Sequence, residues 1–424
     1  MQEDFLHYLW KYKKFDTSKL RTVLGESIQL LQVGEHNFNS GPDFFNAQLK
    51  IEDQLWAGNV EIHIKSSDWY VHHHEIDSAY DNVILHVVWE HDVDIFRKDN
   101  SVIPTLILQD QVAKTALLGY HQLFSKSQKW INCEQDFASV DDFVLQNWLE
   151  RLFFERLERK SNAIQELLST SKNDWEAVLF KLLAKNFGLK VNADAFFSLA
   201  NAIDFKIIRK IQNKEQELEA LLFGQSGLLE TNVEDEYYKT LQKDYQFLKQ
   251  KFSLTQEHVV PLQFFRLRPP NFPTIRLSQL AQVYVKNNNF FSKIIEANTK
   301  QEFYDMFKVT TSSYWNTHYT FQKSSKFLVK STSNNFIDLL IINTIIPIKF
   351  SYSKISSQIN TEDLIALINE LDPEHNTVIK KFESLKPISK SALQTQGLIQ
   401  LKNEYCNYKK CLQCAIGNTI LNRF

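Results

Sequence analysis

Glycine and proline are scarce, at 10 and 9 of 424 residues. Few turns can then rest on left-handed or fixed backbone, which argues against a Gly-punctuated all-β chain and for long elements joined by short loops. Cysteine occurs four times, too few over this length for a disulfide scaffold. An excess of either charge is also missing: 48 Lys and Arg against 50 Asp and Glu leave −2. No global basic field advertises nucleic acid, so any such binding must be local. No uncharged apolar run reaches membrane-spanning length; the best, "FIDLLIINTIIPIKF" (336–350), is short and holds Asp338 and Pro347. The first residues, "MQEDFLHYLWKYKKF", begin acidic and have no apolar core followed by small residues, unlike a signal peptide. These absences predict a cytoplasmic protein with no membrane partner.

What is present is an ordinary globular composition, 43% hydrophobic and 23% charged, rich in Phe (32) and Tyr (15). The length suggests two or three domains. The first ~125 residues carry short β-type segments: 27–37, 46–65, 82–92 and 102–110. "AQLKIEDQLWAGNVEIHI" reads as a hairpin turning near Glu52–Gln54, and the almost wholly apolar "VILHVVW" as a central strand covered on both faces. Ahead of them "EDFLHYLWKYKK" spaces Phe5, Leu6, Leu9 and Trp10 as a helix does. After a polar connector at 125–142, helical periodicity takes over, in segments at 141–168, 174–186, 193–211, 236–251, 276–284, 361–370 and 390–414. The expectation is an α+β chain: a small mixed-sheet domain with a flanking helix over 1–125, then a large, mainly helical domain over 126–424.

Three groups of residues carry possible chemistry. Asp43 sits in a Pro-initiated turn ahead of one hairpin strand, and Glu61 and His63 share a face of the other. Two carboxylates from adjacent strands can converge on a hard cation, Mg²⁺ or Mn²⁺, with a third polar group to position or deprotonate water. Lys65, on the same face, and His86, within "VILHVVW", are candidate assistants. The plainer reading is that Glu61, His63 and Lys65 are the wet side of a strand and His86 a satisfied core histidine. Six of the twelve histidines fall between 63 and 91. In the run His72, His73, His74, at most one is expected to be a ligand, the run otherwise being an exposed turn.

The second group is Cys406, Cys411 and Cys414, spaced C-x4-C-x2-C, with the fourth cysteine, Cys133, in the connector. Four thiolates suit tetrahedral zinc or an iron–sulfur cluster, which would staple the C-terminal segment to the connector; the alternative is ordinary buried thiols on a helix. The third group is Arg266, Arg268 and Arg276 around a Pro-stiffened loop, able to hold nucleic-acid phosphates or simply to pair with acids. Tyr314, Trp315, His318 and Tyr319 form a cluster that could stack a base but reads better as packing.

Several long stretches, "LHYLW" (6–10), "GPDFFNA" (41–47), "GNVEIH" (58–63), "SSDWYVH" (66–72), "AYDNVILHVV" (79–88), "LLFGQSG" (221–227), "RLRPPNFPTIRLSQLA" (266–281), "YWNTHY" (314–319) and the closing "YCNYKKCLQCAIG" (405–417), make the chain resemble, nearly end to end, an uncharacterised bacterial family, domain of unknown function 2851. The resemblance implies little about activity. More distantly, Pro42–Asp43 followed by Glu61-x-His63 resembles the hairpin of the PD-(D/E)xK nucleases, with His63 in place of that superfamily's lysine. That likeness implies a metal-dependent phosphodiesterase: Asp43 and Glu61 on the cation, His63 as ligand or base, Arg266, Arg268 and Arg276 on the nucleic acid. Two rivals remain. One is a non-catalytic nucleic-acid- or protein-binding scaffold with a degenerate nuclease-like domain. The other is a cupin-like transition-metal protein using His63, His72, His74 and His86, which requires a closed antiparallel barrel.

Overall fold

The computed structural model describes residues 1–124, 129–356 and 361–423. The chain forms two compact units: Met1–Trp148 together with Leu401–Phe424, and Leu149–Gln400. The expected boundary after residue 125 thus differs from this division, and the closing segment, expected in the helical part, returns to the first unit. There it packs on the helices Glu3–Lys11 (α1) and Lys114–Leu123 (α3).

In the first unit, α1 buries Phe5, Leu6, Leu9 and Trp10, and the Trp10 indole donates to the Val33 carbonyl at 3.0 Å. The sheet comprises β1 (Ile28–Gln32), β2 (Glu35–His36), β3 (Phe44–Ile51), β4 (Gln54–Lys65), β5 (Val83–Glu90) and β6 (Thr105–Ile107). Its order is β1-β3-β4-β5-β6, with β2 also on β3. The β3–β4 hairpin turns at Glu52–Asp53, where Glu52 adopts φ 49°. A crossover holding the short helix Asp68–Val71 (α2) then brings β5 parallel to β4, and β6 is parallel to β5. Parallel pairs at the centre rule out the closed antiparallel barrel of the cupin-like alternative. They also explain the apolar run: β5 is buried from Val83 to Val88, between two strands.

The second unit is helical, including Trp175–Phe187, Leu189–Asn201, Phe205–Ile211, Glu236–Phe252 and Pro273–Lys286. These helices bury one continuous apolar core. The run expected at 193–211 breaks at Asp204, whose carboxylate caps the second piece at Lys206 N–H. The apolar stretch 336–350 extends into one helix, Asn334–Ile355, which by length and composition alone could cross a bilayer; 78% of its apolar window is buried inside the protein, the position of a core helix. It passes through a π-helical turn at Ile341–Ile345, which absorbs the backbone N–H that Pro347 lacks.

Trp315 is fully buried and stacked on Phe223, so the aromatic cluster is packing. Arg276 is buried as well: its guanidinium bonds Gln279 at 2.8 Å and Asn271 at 2.7 Å and lies 3.7 Å over the Phe336 ring. Its Nη1 and Nη2 are spent inside the unit, which leaves it unavailable to a phosphate, although its Nε has no partner. Arg266 and Arg268 are exposed.

Candidate metal centre of the first unit

Asp43 is delivered by a loop that its own residues stiffen. Gly41 has φ 98°, a conformation that favours glycine, and the Asn37 side-chain amide donates to the carbonyls of Asn39, Ser40 and Pro42, all at 3.1 Å. The Asp43 carboxylate then accepts from Ile62 N–H at 3.0 Å, while Glu61 accepts from Asp43 N–H at 3.1 Å. The two acids thus clasp the base of the hairpin by exchanging backbone amides. From α1, His7 reaches the same Asp43 oxygen at 3.2 Å.

On β4, Gly58 faces β5, and a Cβ there would stand 2.6 Å from the Asn82 carbonyl. The register shift at Asn59–Val60 follows directly and sets Glu61 opposite His86. Glu61, His63 and His86 therefore share one sheet face, and it is not a wet one: they are 5%, 1% and 0% exposed. His63 Nδ1 lies 2.8 Å from His86 Nε2. On its other side, His63 Nε2 is 3.1 Å from His72 Nδ1 and 3.5 Å from Glu61 Oε1. His74 Nε2 completes the ring, 3.3 Å from the same Glu61 oxygen.

His72 and His74 come from the turn that follows α2, early in the crossover, and cover the sheet face that carries His63. Each of His63, His72 and His74 offers a nitrogen within 4.8 Å of the others. The trio runs from buried His63 through half-buried His74, stacked on Tyr80 at 3.7 Å, to exposed His72. The structure thus brings together two residues of the His72–His74 run, where the hairpin reading expected at most one and only the cupin-like alternative named both; His73 points out at 74% exposure. The signal was the density of histidine between 63 and 91, which periodicity alone discounts. Lys65 does not join: it is exposed and 3.8 Å from Glu90.

The electrostatics are those of a site short of positive charge. Burial, then the Asp43 carboxylate, pushes Glu61 up to about 9. Burial also raises Glu3, on α1, to about 7, with Asp43 adding to it. Burial, then the His74 and His72 imidazoles, pushes His63 down to about 3, and His86 falls well below its ordinary value, first through burial and then through His63. Acids held neutral beside imidazoles held neutral are an arrangement that a cation reverses at once.

The tautomers fit this reading. For His63 Nε2 to offer a lone pair, its proton must sit on Nδ1 and be donated to His86 Nε2. His86 then carries its own proton on Nδ1, which has no hydrogen-bond partner. Three imidazoles and a carboxylate are a donor set for a borderline transition ion, whereas Mg²⁺ prefers oxygen.

A cavity of about 210 Å³ opens beside His74, with Trp69, Tyr80 and Arg97 in its wall. The Arg97 guanidinium is held by the carbonyls of Val83 and Val102, both at 3.1 Å.

A family model described as a protein of unknown function (DUF2851) matches residues 3–377. The chain belongs to that family. The site lies wholly within the matched span, whereas Cys406, Cys411 and Cys414 lie beyond it. No curated protein and no solved structure matches the chain.

Proposed function

We propose that the first unit is a metal-dependent phosphodiesterase in which His63, His72 and His74 hold a divalent transition ion, Mn²⁺ or Zn²⁺, beside Glu61. The observation that carries this reading is the imidazole trio, whose nitrogens lie within 4.8 Å of one another around a buried carboxylate. A cation there would stabilise charge developing on a phosphoryl oxygen. Glu61 stands where it can take a proton from water, Asp43 and its amide contacts fix the Glu61 strand, and His86 orients the His63 ring. Access comes from the exposed His72 side. Arg97, held by carbonyls rather than by a carboxylate, supplies positive charge at the cavity wall, which suits an anionic substrate. Nucleic acid is the phosphodiester this reading favours, by the hairpin's likeness to the nuclease core. Of the three arginines expected to hold nucleic acid, Arg266 and Arg268 are the exposed pair.

The test is cleavage of single- and double-stranded DNA and RNA, and of bis(p-nitrophenyl) phosphate, by the full chain with Mn²⁺. Wild type should cleave at least one, and Glu61→Gln and His63→Ala should not. If wild type cleaves none of them, or Glu61→Gln keeps the wild-type rate, the reading fails. A second reading, a non-catalytic binding scaffold, is favoured by one feature: both carboxylates already accept backbone amides. Stoichiometric metal binding without any cleavage would select it.

A further inference from the structure

All four cysteines of the chain meet in the first unit. Cys133 and Cys414 are buried and Cys406 and Cys411 half-buried, and all are free thiols. They line one cavity with Asn132 and Tyr405, although 273 residues separate Cys133 from Cys406 in sequence. The expected helix over 390–414 is interrupted to make this possible. It ends as a π-helical turn, Leu401–Cys406, and then gives way to the 3₁₀ turn Cys411–Gln413 before the last helix, Ala415–Leu421. Gly417 is required by the same geometry, since a Cβ there would stand 2.1 Å from the Cys411 carbonyl.

We propose that these four thiols are the ligands of a structural metal centre, a soft transition metal held by four thiolates, that ties the closing segment to the residues around Cys133. The donors around the sulfurs support it. The Asn132 amide donates to Cys411 Sγ at 3.5 Å, and Cys414 sits just ahead of the last helix, with the N–H groups of Ile416 and Gly417 favouring its charged form. Protonated thiols have little use for several N–H donors, whereas thiolates on a metal are oriented and stabilised by them. Four sulfurs lining one cavity are a soft donor set of the size a single transition-metal centre takes.

Two members of that chemistry take four thiolates, zinc and an iron–sulfur cluster. Among the described residues, no three of these sulfurs lie within 4.8 Å of one another. A zinc–sulfur tetrahedron has an edge of ~3.8 Å, from a bond of about 2.3 Å. Zinc would therefore draw the sulfurs inward, while a cluster would sit among them.

The experiment is elemental analysis and acid-labile sulfide on the full chain purified without oxygen, with Cys411→Ser and Cys406→Ser alongside. Wild type should carry zinc, or iron with matching sulfide and a broad visible absorbance, that is independent of the His63→Ala substitution. Each serine variant should lower that content at least several-fold. The four wild-type thiols should resist alkylation until a chelator is added, a readout that stands even if a variant fails to fold. Metal-free wild type whose thiols alkylate at once, or serine variants retaining full metal, would overturn the proposal.

Discussion

Both units bury charge, but they treat it in opposite ways. In the helical unit three buried cations find groups that suit them. Lys349 donates to the carbonyls of Ile295 and Ala297 at 2.6 Å, Lys330 donates to those of Trp315 and Leu328, and Arg276 has Gln279, Asn271 and the Phe336 face. In the sheet unit like is set against like: Glu61 beside Asp43, and His63 between His72 and His86. Buried polar groups that satisfy one another stabilise a core. Buried groups that raise one another's cost persist where something else is to be bound.

The largest expected effect tests the needy side. His63→Ala should lower Mn²⁺ or Zn²⁺ affinity of the first unit by more than 100-fold, read by isothermal titration. His86→Phe, which removes only the partner that orients His63, should cost about 10- to 100-fold. Equal affinity in all three proteins would remove the metal centre from the comparison.

The next tests the satisfied side. Arg276→Ala strips Asn271 and Gln279 of their donor and Phe336 of its cation, for about 3 kcal/mol of destabilisation. Chemical denaturation should show that loss in the helical unit, with metal affinity unchanged. A loss under about 1 kcal/mol would mean that the network is ornamental.

The pH responses should also diverge. His63 titrates near 3 when folded and near 6.5 when unfolded, so the unfolded chain binds more protons in between. Its contribution is complete above pH 6.5 and is lost as pH falls towards 3, a few kcal/mol in all. Lys349, pushed down by burial to about 8, obeys the same sign at the other end of the scale. Its contribution is complete above about 10.5 and is lost as pH falls towards 8. Relative to Lys349→Met, wild type should therefore gain up to about 3 kcal/mol between pH 8 and 10.5. A flat difference between the two proteins would place the lysine in water.

The sequence showed this division unevenly. The hairpin turn at Glu52–Asp53, the covered strand β5 and the meeting of Asp43 with Glu61 were legible, because alternation and turn chemistry are local. His72 and His74 were named as ligands only in the cupin-like alternative, since a histidine run after a short helix looks like an exposed turn until the crossover places it over β4. The break between Cys406 and Cys411 was hidden for a similar reason. Helical periodicity runs on through 390–414, and only the gathering of thiols from Cys133 onward explains why the helix stops. Arg276 read as a phosphate ligand because its burial depends on Phe336 and Asn271, which no local pattern announces.

Lys65 is the smallest test and the most direct check on alternation as a guide to the site. Strand periodicity assigns it to the face of Glu61 and His63. The strand has left the covered part of the sheet by then, and Lys65 pairs with Glu90 at 3.8 Å, each about half exposed. An exposed pair of this kind contributes 0 to about 1 kcal/mol. Lys65→Ala should therefore leave metal affinity and cleavage unchanged and move stability by less than about 0.5 kcal/mol. A drop in cleavage rate of tenfold or more would mean that the lysine swings from Glu90 to the substrate, restoring to it the role that its place two residues beyond His63 denies.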